Sequence, residues 1–335
     1  MGLLQFAMVG NYSRFWNDLK NLRGQAHKPA SWMFFDTCLC TLRYGSGMQD
    51  YLNYRFYEKK HKQRREYLTI GYQARMDRYV ANTKYSSFLS LKPNFHRNYS
   101  EFTRRDWFST ELGYERYLAF LERNPVFIYK PKLGLGGTDI EKISVDEIAD
   151  KKAFYDRLVR EEAFIEELIR QNDAWGKLCP ASINTLRVMT TAVNGKSEII
   201  FAAARIGNGS NVADNFHQGG MAILVDMERG RLTGTAFNKK LERFTHHPLT
   251  GVKLDGYEIP FWKEIRQMCL KAALVNEGIN LVGWDVAITN DGPLLIEGNR
   301  GPGWDLVQVL LGRGTKYMVQ PLIEEMKASG LWDTK

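Results

Sequence analysis

Asp285 and, twelve residues on, the pair Glu297 and Asn299 are the side chains of this sequence best suited to chemistry. Asp285 lies in the apolar run Leu281-Val282-Gly283-Trp284-Asp285-Val286-Ala287, and the pair lies in Ile296-Glu297-Gly298-Asn299. The Asn290-Asp291-Gly292 turn between them predicts two antiparallel strands, over 281–288 and 294–297, that bring Asp285 near Glu297 and Asn299. Residues two apart in an extended segment share a face, so Glu297 and Asn299 point the same way. Two carboxylates and an amide oxygen are hard donors suited to Mg²⁺, which in turn bridges nucleotide phosphates. An acidic pair among such apolar neighbours is costly without a cation.

Two further constellations precede it. In Tyr129-Lys130-Pro131-Lys132-Leu133-Gly134-Leu135-Gly136-Gly137-Thr138, Lys130 ends a short β-prone run. Gly134, Gly136 and Gly137 would let backbone N–H groups cover phosphate oxygens. No Gly-Lys-Ser/Thr follows the glycines, so this is not a Walker loop, and there is no dinucleotide-binding fingerprint. Alone, the segment fits a plain glycine-rich turn equally well. Downstream, Ala163-Phe164-Ile165-Glu166-Glu167-Leu168-Ile169 places an acidic pair at the end of an apolar strand. That strand end could offer a carboxylate and free backbone groups to an adenine edge, or be an ordinary strand terminus.

The elements around these residues follow from pattern. Residues 15–85 read as helical and strand-poor. Ser109 and Thr110 are caps for a helix with Tyr114, Tyr117, Leu118 and Leu121 on one side, ended by Asn124-Pro125. Ser144-Val145-Asp146-Glu147 reads as a capping box opening a helix to about Arg160. Strands are expected over 163–169, 185–193, 198–206 and 221–225, with Asn194-Gly195 as a hairpin turn. Phe261, Ile265, Met268 and Ala272 mark an amphipathic helix.

The chain has 335 residues, enough for two or three packed subdomains, and an apolar fraction of 44% that supports a sizeable core. Its four cysteines are too few for a disulfide framework, which fits a reducing, cytoplasmic setting. The N-terminus lacks the charged start and long apolar stretch of a signal peptide, and no run reaches the roughly 18 apolar residues of a membrane span. Residues 1–110 hold 18 Lys/Arg against 8 Asp/Glu and 22 of the 42 aromatics, while the remainder holds 28 against 30. Such a basic third is either a set of solvated helices over an aromatic core or a surface for an anion. The candidate anions are nucleic acid, an anionic membrane face and a phosphorylated small molecule.

The order of these elements resembles the ATP-grasp superfamily: strand lysine with glycine-rich flap, acidic hinge, then Asp…Glu-x-Asn. Arg205…Asn215-Phe216-His217-Gln218-Gly219-Gly220 with Asp285 and Glu297-Gly298-Asn299-Arg300-Gly301-Pro302-Gly303 is similar to the ribosomal-protein glutamate-ligase and glutathione-synthetase branch. Ser182-Ile183-Asn184-Thr185-Leu186-Arg187, Asp214-Asn215-Phe216, His247-Pro248-Leu249-Thr250-Gly251 and Val282-Gly283-Trp284-Asp285 resemble the sugar-transfer-associated ATP-grasp family, found beside polysaccharide and capsule genes. The resemblance runs from about residue 36 to 315.

That resemblance implies an α+β ATP-grasp fold, two α+β subdomains clasping ATP, behind a helical basic N-terminal region. The expected boundaries are 1–83 for that region, 84–175 for the first subdomain with its flap, and 176–335 for the second with its metal-binding strands. It further implies that Lys130, with Lys84 as the earlier lysine of such folds, contacts phosphates under a flap of Gly134, Gly136 and Gly137. Glu166, Glu167, Leu168 and Ile169 would receive the adenine and Asp173 would reach the ribose. Asp285, Glu297 and Asn299 would hold two Mg²⁺ ions. Arg187 and Arg205 would serve the transferring phosphoryl group or acyl phosphate, where a forked, always-charged donor is apt, and Asn215 would be the loop amide.

The chain departs from the pattern in two places. Ala213 and Asp214 stand where the glutamate-ligase branch has an arginine, and Trp284 stands where peptide-ligase relatives have one before the metal aspartate. His247-Pro248 is either a substrate contact or a turn-stabilising pair.

The implied activity is an ADP-forming carboxylate–amine ligase that uses ATP and Mg²⁺ through an acyl phosphate. Its substrates would be a small-molecule carboxylate and an amine, sugar- or nucleotide-linked. A kinase acting on a sugar or other small-molecule hydroxyl is the alternative. A non-catalytic nucleotide-binding module is disfavoured by the presence of all three metal-ligand types, and nucleic-acid binding is the weakest reading. Peripheral membrane contact stays open, and no feature assigns an oligomeric state.

Overall fold

The computed structural model describes residues 12–80, 85–131, 140–209 and 219–332. The chain divides into two units, one formed by residues 1–83 with 303–335 and the other by residues 84–302.

The first unit is helical. Its N-terminal part contains α1 (Tyr12–Ala26), α2 (Ala30–Tyr44), α3 (Met48–Asn53), α4 (His61–Arg64) and α5 (Ile70–Val80). Two C-terminal helices, Trp304–Leu311 and Lys316–Ala328, complete it. Pro29 starts α2 in an extended conformation, and Gly45 ends it at φ 65°, a left-handed cap that glycine adopts without a Cβ penalty. The core is aromatic, with Phe15, Tyr51, Tyr54, Phe56 and Tyr67 buried against Leu19 and Met33. One buried polar knot crosses it. Arg64 reaches both oxygens of Asp36 at 2.8 and 2.7 Å, and the Tyr51 hydroxyl donates to Asp36 at 2.9 Å. The C-terminal helices are tied in by Gln308. Its side chain accepts from the Leu68 N–H at 2.7 Å and donates to the Leu68 carbonyl at 3.2 Å.

The second unit carries two antiparallel sheets. Four strands, β1 (Trp107–Ser109), β2 (Val126–Lys130), β3 (Glu141–Ser144) and β4 (Phe164–Glu167), pair in the order β1-β4-β2-β3. Seven more, β5 (Thr185–Val193), β6 (Lys196–Ile206), β7 (Met221–Asp226), β8 (Arg231–Asn238), β9 (Arg243–Phe244), β10 (Leu281–Thr289) and β11 (Gly292–Asn299), pair in the order β11-β10-β5-β6-β7-β8-β9. Its helices are α6 (Ser86–Ser90), α7 (Lys92–Asn98), α8 (Ser100–Thr103), α9 (Tyr114–Arg123), α10 (Lys151–Arg160), α11 (Asp173–Gly176) and α12 (Trp262–Ala273).

Alternation along β10 separates core from site. Val282, Trp284, Val286 and Ile288 enter the cluster that also receives Ile265, Cys269 and Ala272 of α12. Asp285 therefore lies on the opposite face. The β5–β6 hairpin turns at Asn194 (φ 50°) and Gly195 (φ 73°), the paired positive φ values of a two-residue turn whose twist matches the strands.

Two local expectations differ from the structure. The Ser144…Glu147 box closes only a 3₁₀ turn, Val145–Glu147, because Ile148 returns to an extended conformation. Asp150 then caps α10 by accepting from the Lys152 and Ala153 N–H groups at 2.8 and 3.1 Å. Likewise Ser109 precedes a 3₁₀ turn, Thr110–Leu112, and it is Gly113 that opens α9.

Candidate active site

Four adjacent strands carry one row of charge. In the β10–β11 register Asp285 faces Glu297 and Gly283 faces Asn299, and in the β10–β5 register Asp285 faces Arg187. Arg205 lies on β6, two residues from Ala203, the cross-strand partner of Arg187, and so on the same face. Arg187 donates from Nε to Asp285 Oδ1 at 2.6 Å and from Nη2 to Oδ2 at 3.2 Å; Arg205 Nη1 donates to Oδ2 at 3.0 Å. Burial alone would raise the Asp285 carboxyl, but the two guanidinium charges overcome it and hold the group down at about 2.

Glu297 has the opposite environment. The protein crowded around it and the Asp285 charge opposite hold its carboxyl above the ordinary range. Its side chain still meets solvent, and the Asp285 charge acts on it from the facing position on β10. Asn299 donates from Nδ2 to Glu297 Oε1 at 3.0 Å, which aims its amide oxygen away from the carboxylate. Two neighbouring carboxylates, one of them reluctant to ionise, with an amide oxygen alongside, are a donor set that a hard divalent cation fits.

Gly283 makes room for this row. A Cβ there would lie 3.0 Å from the Cα and Cβ of Pro302 and 3.2 Å from Arg187 Cδ. The close approach lets the Pro302 carbonyl accept from Arg187 Nη1 at 2.9 Å, a second anchor for the guanidinium.

The four-stranded sheet supplies a second charged cluster. Glu166, only 3% exposed, is ion-paired with Lys130 Nζ and with Arg105 Nη1 at 2.9 Å, and His96 Nε2 lies 3.3 Å from its carboxylate. Burial would raise its carboxyl; Arg105, Lys130 and His96 together hold it well below the ordinary range. Burial lowers the His96 imidazole from its ordinary value, against the pull of Glu166. Its Nδ1 is buried without a partner among the described residues, which assigns the ring proton to Nε2, facing Glu166.

The two clusters adjoin. Arg105 Nη2 donates to the Leu295 carbonyl on β11 at 3.3 Å. The Lys130 charge partly offsets the rise of Glu297. Lys92, the first residue of α7, is lowered by burial and by Lys130, against the attraction of Glu297 and Glu166.

Arg187, Arg205, Asp285, Glu297 and Asn299 thus form one group, and Lys130 with Glu166 adjoins it. Glu167 is turned elsewhere: its carboxylate accepts from the Asp106 N–H at 3.0 Å, and its own N–H donates to the Asp106 carbonyl at 2.9 Å. Leu168 and Ile169 are half-buried beyond the strand end. Asp173 is exposed beside the Asn290 turn, where its N–H donates to Asn290 Oδ1 at 3.0 Å; that turn is the opposite end of the β10–β11 hairpin from Asn299. Lys84, Gly134, Gly136, Gly137 and Asn215 lie outside the described residues.

His247 is resolved in favour of a turn. It is 1% exposed, its Nε2 is 2.9 Å from the Gly207 carbonyl, and its Nδ1 accepts from the Leu249 and Thr250 N–H groups at 3.3 Å each. Sequence reasoning passed over His96, Arg105 and Lys92. His96 and Lys92 come from α7 and Arg105 from the junction between α8 and β1, each far earlier in the chain than the β4 and β11 residues that it touches or senses, with no local pattern to mark it.

Among curated proteins none matches the chain. Solved structures that it is similar to include the ATP-grasp ligase PsnB complexed with a phosphomimetic variant of its minimal precursor, Mg and ADP, at 18% identity over 67% of this chain and 52% of that one, TM-score 0.37. Another is the D-alanine–D-alanine ligase from Coxiella burnetii, at 13% identity over 75% and 64%, TM-score 0.39. A third is the Chryseobacterium gregarium RiPP-associated ATP-grasp ligase in complex with ADP and a leader and core peptide, at 12% identity over 69% and 58%, TM-score 0.41. This chain spans between 52% and 64% of the length of those three. The sequence profile of the sugar-transfer-associated ATP-grasp family matches residues 113–322, well over half of the chain. The chain belongs to the sugar-transfer-associated ATP-grasp family, and its fold is the ATP-grasp fold.

Proposed function

We propose that this protein is an ATP-dependent carboxylate–amine ligase that activates the acid as an acyl phosphate and passes it to an amine, on a sugar- or polysaccharide-related substrate. The observation that carries the reading is the row Glu297–Asp285–Arg187–Arg205 with Lys130 nearby, which sets carboxylates suited to a divalent cation beside positive charges suited to phosphate. Family membership supports it.

In this reading Asp285, Glu297 and Asn299 hold Mg²⁺, which neutralises phosphate charge when bound. Lys130 and Lys92 attract the polyphosphate, while Glu166 and His96 keep Lys130 in place. Arg187 is held on two sides, by Asp285 and by the Pro302 carbonyl, so its remaining N–H face is fixed in direction. With Arg205 it stabilises charge that grows on the phosphoryl group as the substrate carboxylate takes it from ATP, and again as the amine displaces phosphate. Such donors act best when already oriented, since no reorganisation is then needed during the reaction. The residues proposed for the flap and loop amide, Gly134, Gly136, Gly137 and Asn215, and Lys84, would close over the phosphates and exclude water from the acyl phosphate. Glu167, Leu168 and Ile169 would border the adenine and Asp173 the ribose.

The test is an ADP-release screen of acids crossed with amines, with mass spectrometry of the product. An amide that appears only when acid, amine and ATP are all present supports the ligase. A stable phosphorylated hydroxyl formed without amine makes the protein a kinase instead. Asp285→Asn and Glu297→Gln are each expected to lower turnover by at least about a hundredfold, and near-normal rates in both would remove the assigned metal site.

A further inference from the structure

The helical unit carries an apolar stripe that its own core does not use. On α2, Trp32, Phe35, Leu39 and Leu42 are 42%, 68%, 63% and 71% exposed. Their 3-4-3 spacing puts all four on one face of the helix, while Met33, Asp36, Thr37 and Cys40 turn inward. Scattered exposed leucines need no explanation, but a contiguous stripe of four large side chains marks an interaction surface.

The charge around the stripe selects the occupant. At its N-terminal end the Lys28 ammonium sits 3.8 Å from the centre of the Trp32 ring. At its C-terminal end Arg43 is exposed beside His61, and α4 continues with exposed Lys62. The only acid of α2, Asp36, is buried and neutralised by Arg64. A second copy docked along this stripe would bring cation against cation, Lys28 to Arg43 if antiparallel and Arg43 to Arg43 if parallel. Nucleic acid would satisfy the cations and leave the leucines in water. An anionic lipid surface satisfies both: apolar side chains enter the acyl boundary while Lys and Arg meet the head groups and Trp lies at the interface. Among the described residues no helix is long and apolar enough to cross a membrane, so the contact is with its surface.

We propose that α2 is a membrane-docking helix, seating Trp32, Phe35, Leu39 and Leu42 in a bilayer rich in acidic phospholipid, with Lys28 and Arg43 at the head groups. This goes beyond the ligase reading and stands independently of it.

Cosedimentation of the full chain with vesicles tests it, comparing phosphatidylcholine alone with phosphatidylcholine containing about one third phosphatidylglycerol. The wild type is expected to bind the anionic vesicles about tenfold or more tighter than the neutral ones, and to lose that preference in high salt. Phe35→Glu with Leu39→Glu is expected to abolish binding, and Lys28→Glu with Arg43→Glu to weaken it about tenfold or more. The second pair keeps the test decisive if the first fails to fold. No binding to anionic vesicles, equal binding to neutral ones, or full binding by both folded pairs would each overturn the proposal. So would a concentration-dependent dimer in light scattering that Phe35→Glu with Leu39→Glu dissociates, since a second copy would then own the stripe.

Discussion

At the residue scale, the site is governed by how two carboxylates, Asp285 bonded to Arg187 and Glu297 on the next strand beyond it, divide their protons. Asp285 is pinned ionised by two guanidinium groups, and Glu297 carries the cost of the charge opposite. This division has a measurable signature in stability. The folded-state value of Asp285 lies below its ordinary 3.8, at about 2, so the folded state binds its proton less readily than the unfolded chain does. The associated stability is fully present above about pH 4 and is lost as pH falls through about 2, amounting to about 2 kcal/mol. Asp285→Asn is expected to flatten that acid limb in urea unfolding measured from pH 2 to 5. An unchanged limb would mean that Arg187 and Arg205 do not bias its proton.

Elements explain why part of the site was legible beforehand. Asp285 and Glu297 could be paired from sequence because a tight turn fixes the register of a hairpin, and register fixes which side chains face one another. The Asn194-Gly195 turn was readable for the same reason. β8 was not, because Gly234 at φ 82° interrupts it and only Leu232, Ala236 and Asn238 are buried, leaving little alternation to detect. The Glu166 cluster was hidden for another reason: His96 and Arg105 come from a helix and a helix–strand junction whose local pattern reports packing alone. Burial in the fold, rather than spacing along the chain, makes them partners of Glu166. The β10–β5 pair also makes a prediction at this scale. Gly283→Ala forces a Cβ against Pro302 backbone, which cannot swing aside as a flexible side chain could. The expected cost is about 1–3 kcal/mol, together with a loss of turnover as Arg187 is displaced. Thermal unfolding and the ligase assay together check it, and an unperturbed variant would mean that the Pro302 segment yields freely.

Across the whole molecule, the helical unit is discontinuous in sequence. Residues 1–83 are completed by residues 303–335, and the family profile at 113–322 ends within the helix Lys316–Ala328. Gln308, 1% exposed, is a single side chain whose amide satisfies both backbone groups of Leu68. Gln308→Ala takes the side-chain acceptor from the buried Leu68 and Thr315 N–H groups, while the Leu68 carbonyl keeps Gln73 Nε2 as a donor, at an expected cost of about 2–4 kcal/mol confined to that unit. Hydrogen exchange should then accelerate in α1–α5 while β5, β6 and β10 keep their protection. Uniform acceleration in both units would instead mean that they unfold as one.

The same discontinuity sets an order of events during synthesis. Residues 84–302 form a contiguous unit that can fold as soon as it clears the ribosome, whereas the first 83 residues must wait for the last 33 before Leu68 meets Gln308. Through that interval the nascent chain holds aromatic side chains such as Tyr51, Phe56 and Tyr67 without the helices that complete their enclosure. A chaperone's hold on this protein is therefore expected to be strongest while its earliest segment awaits its latest.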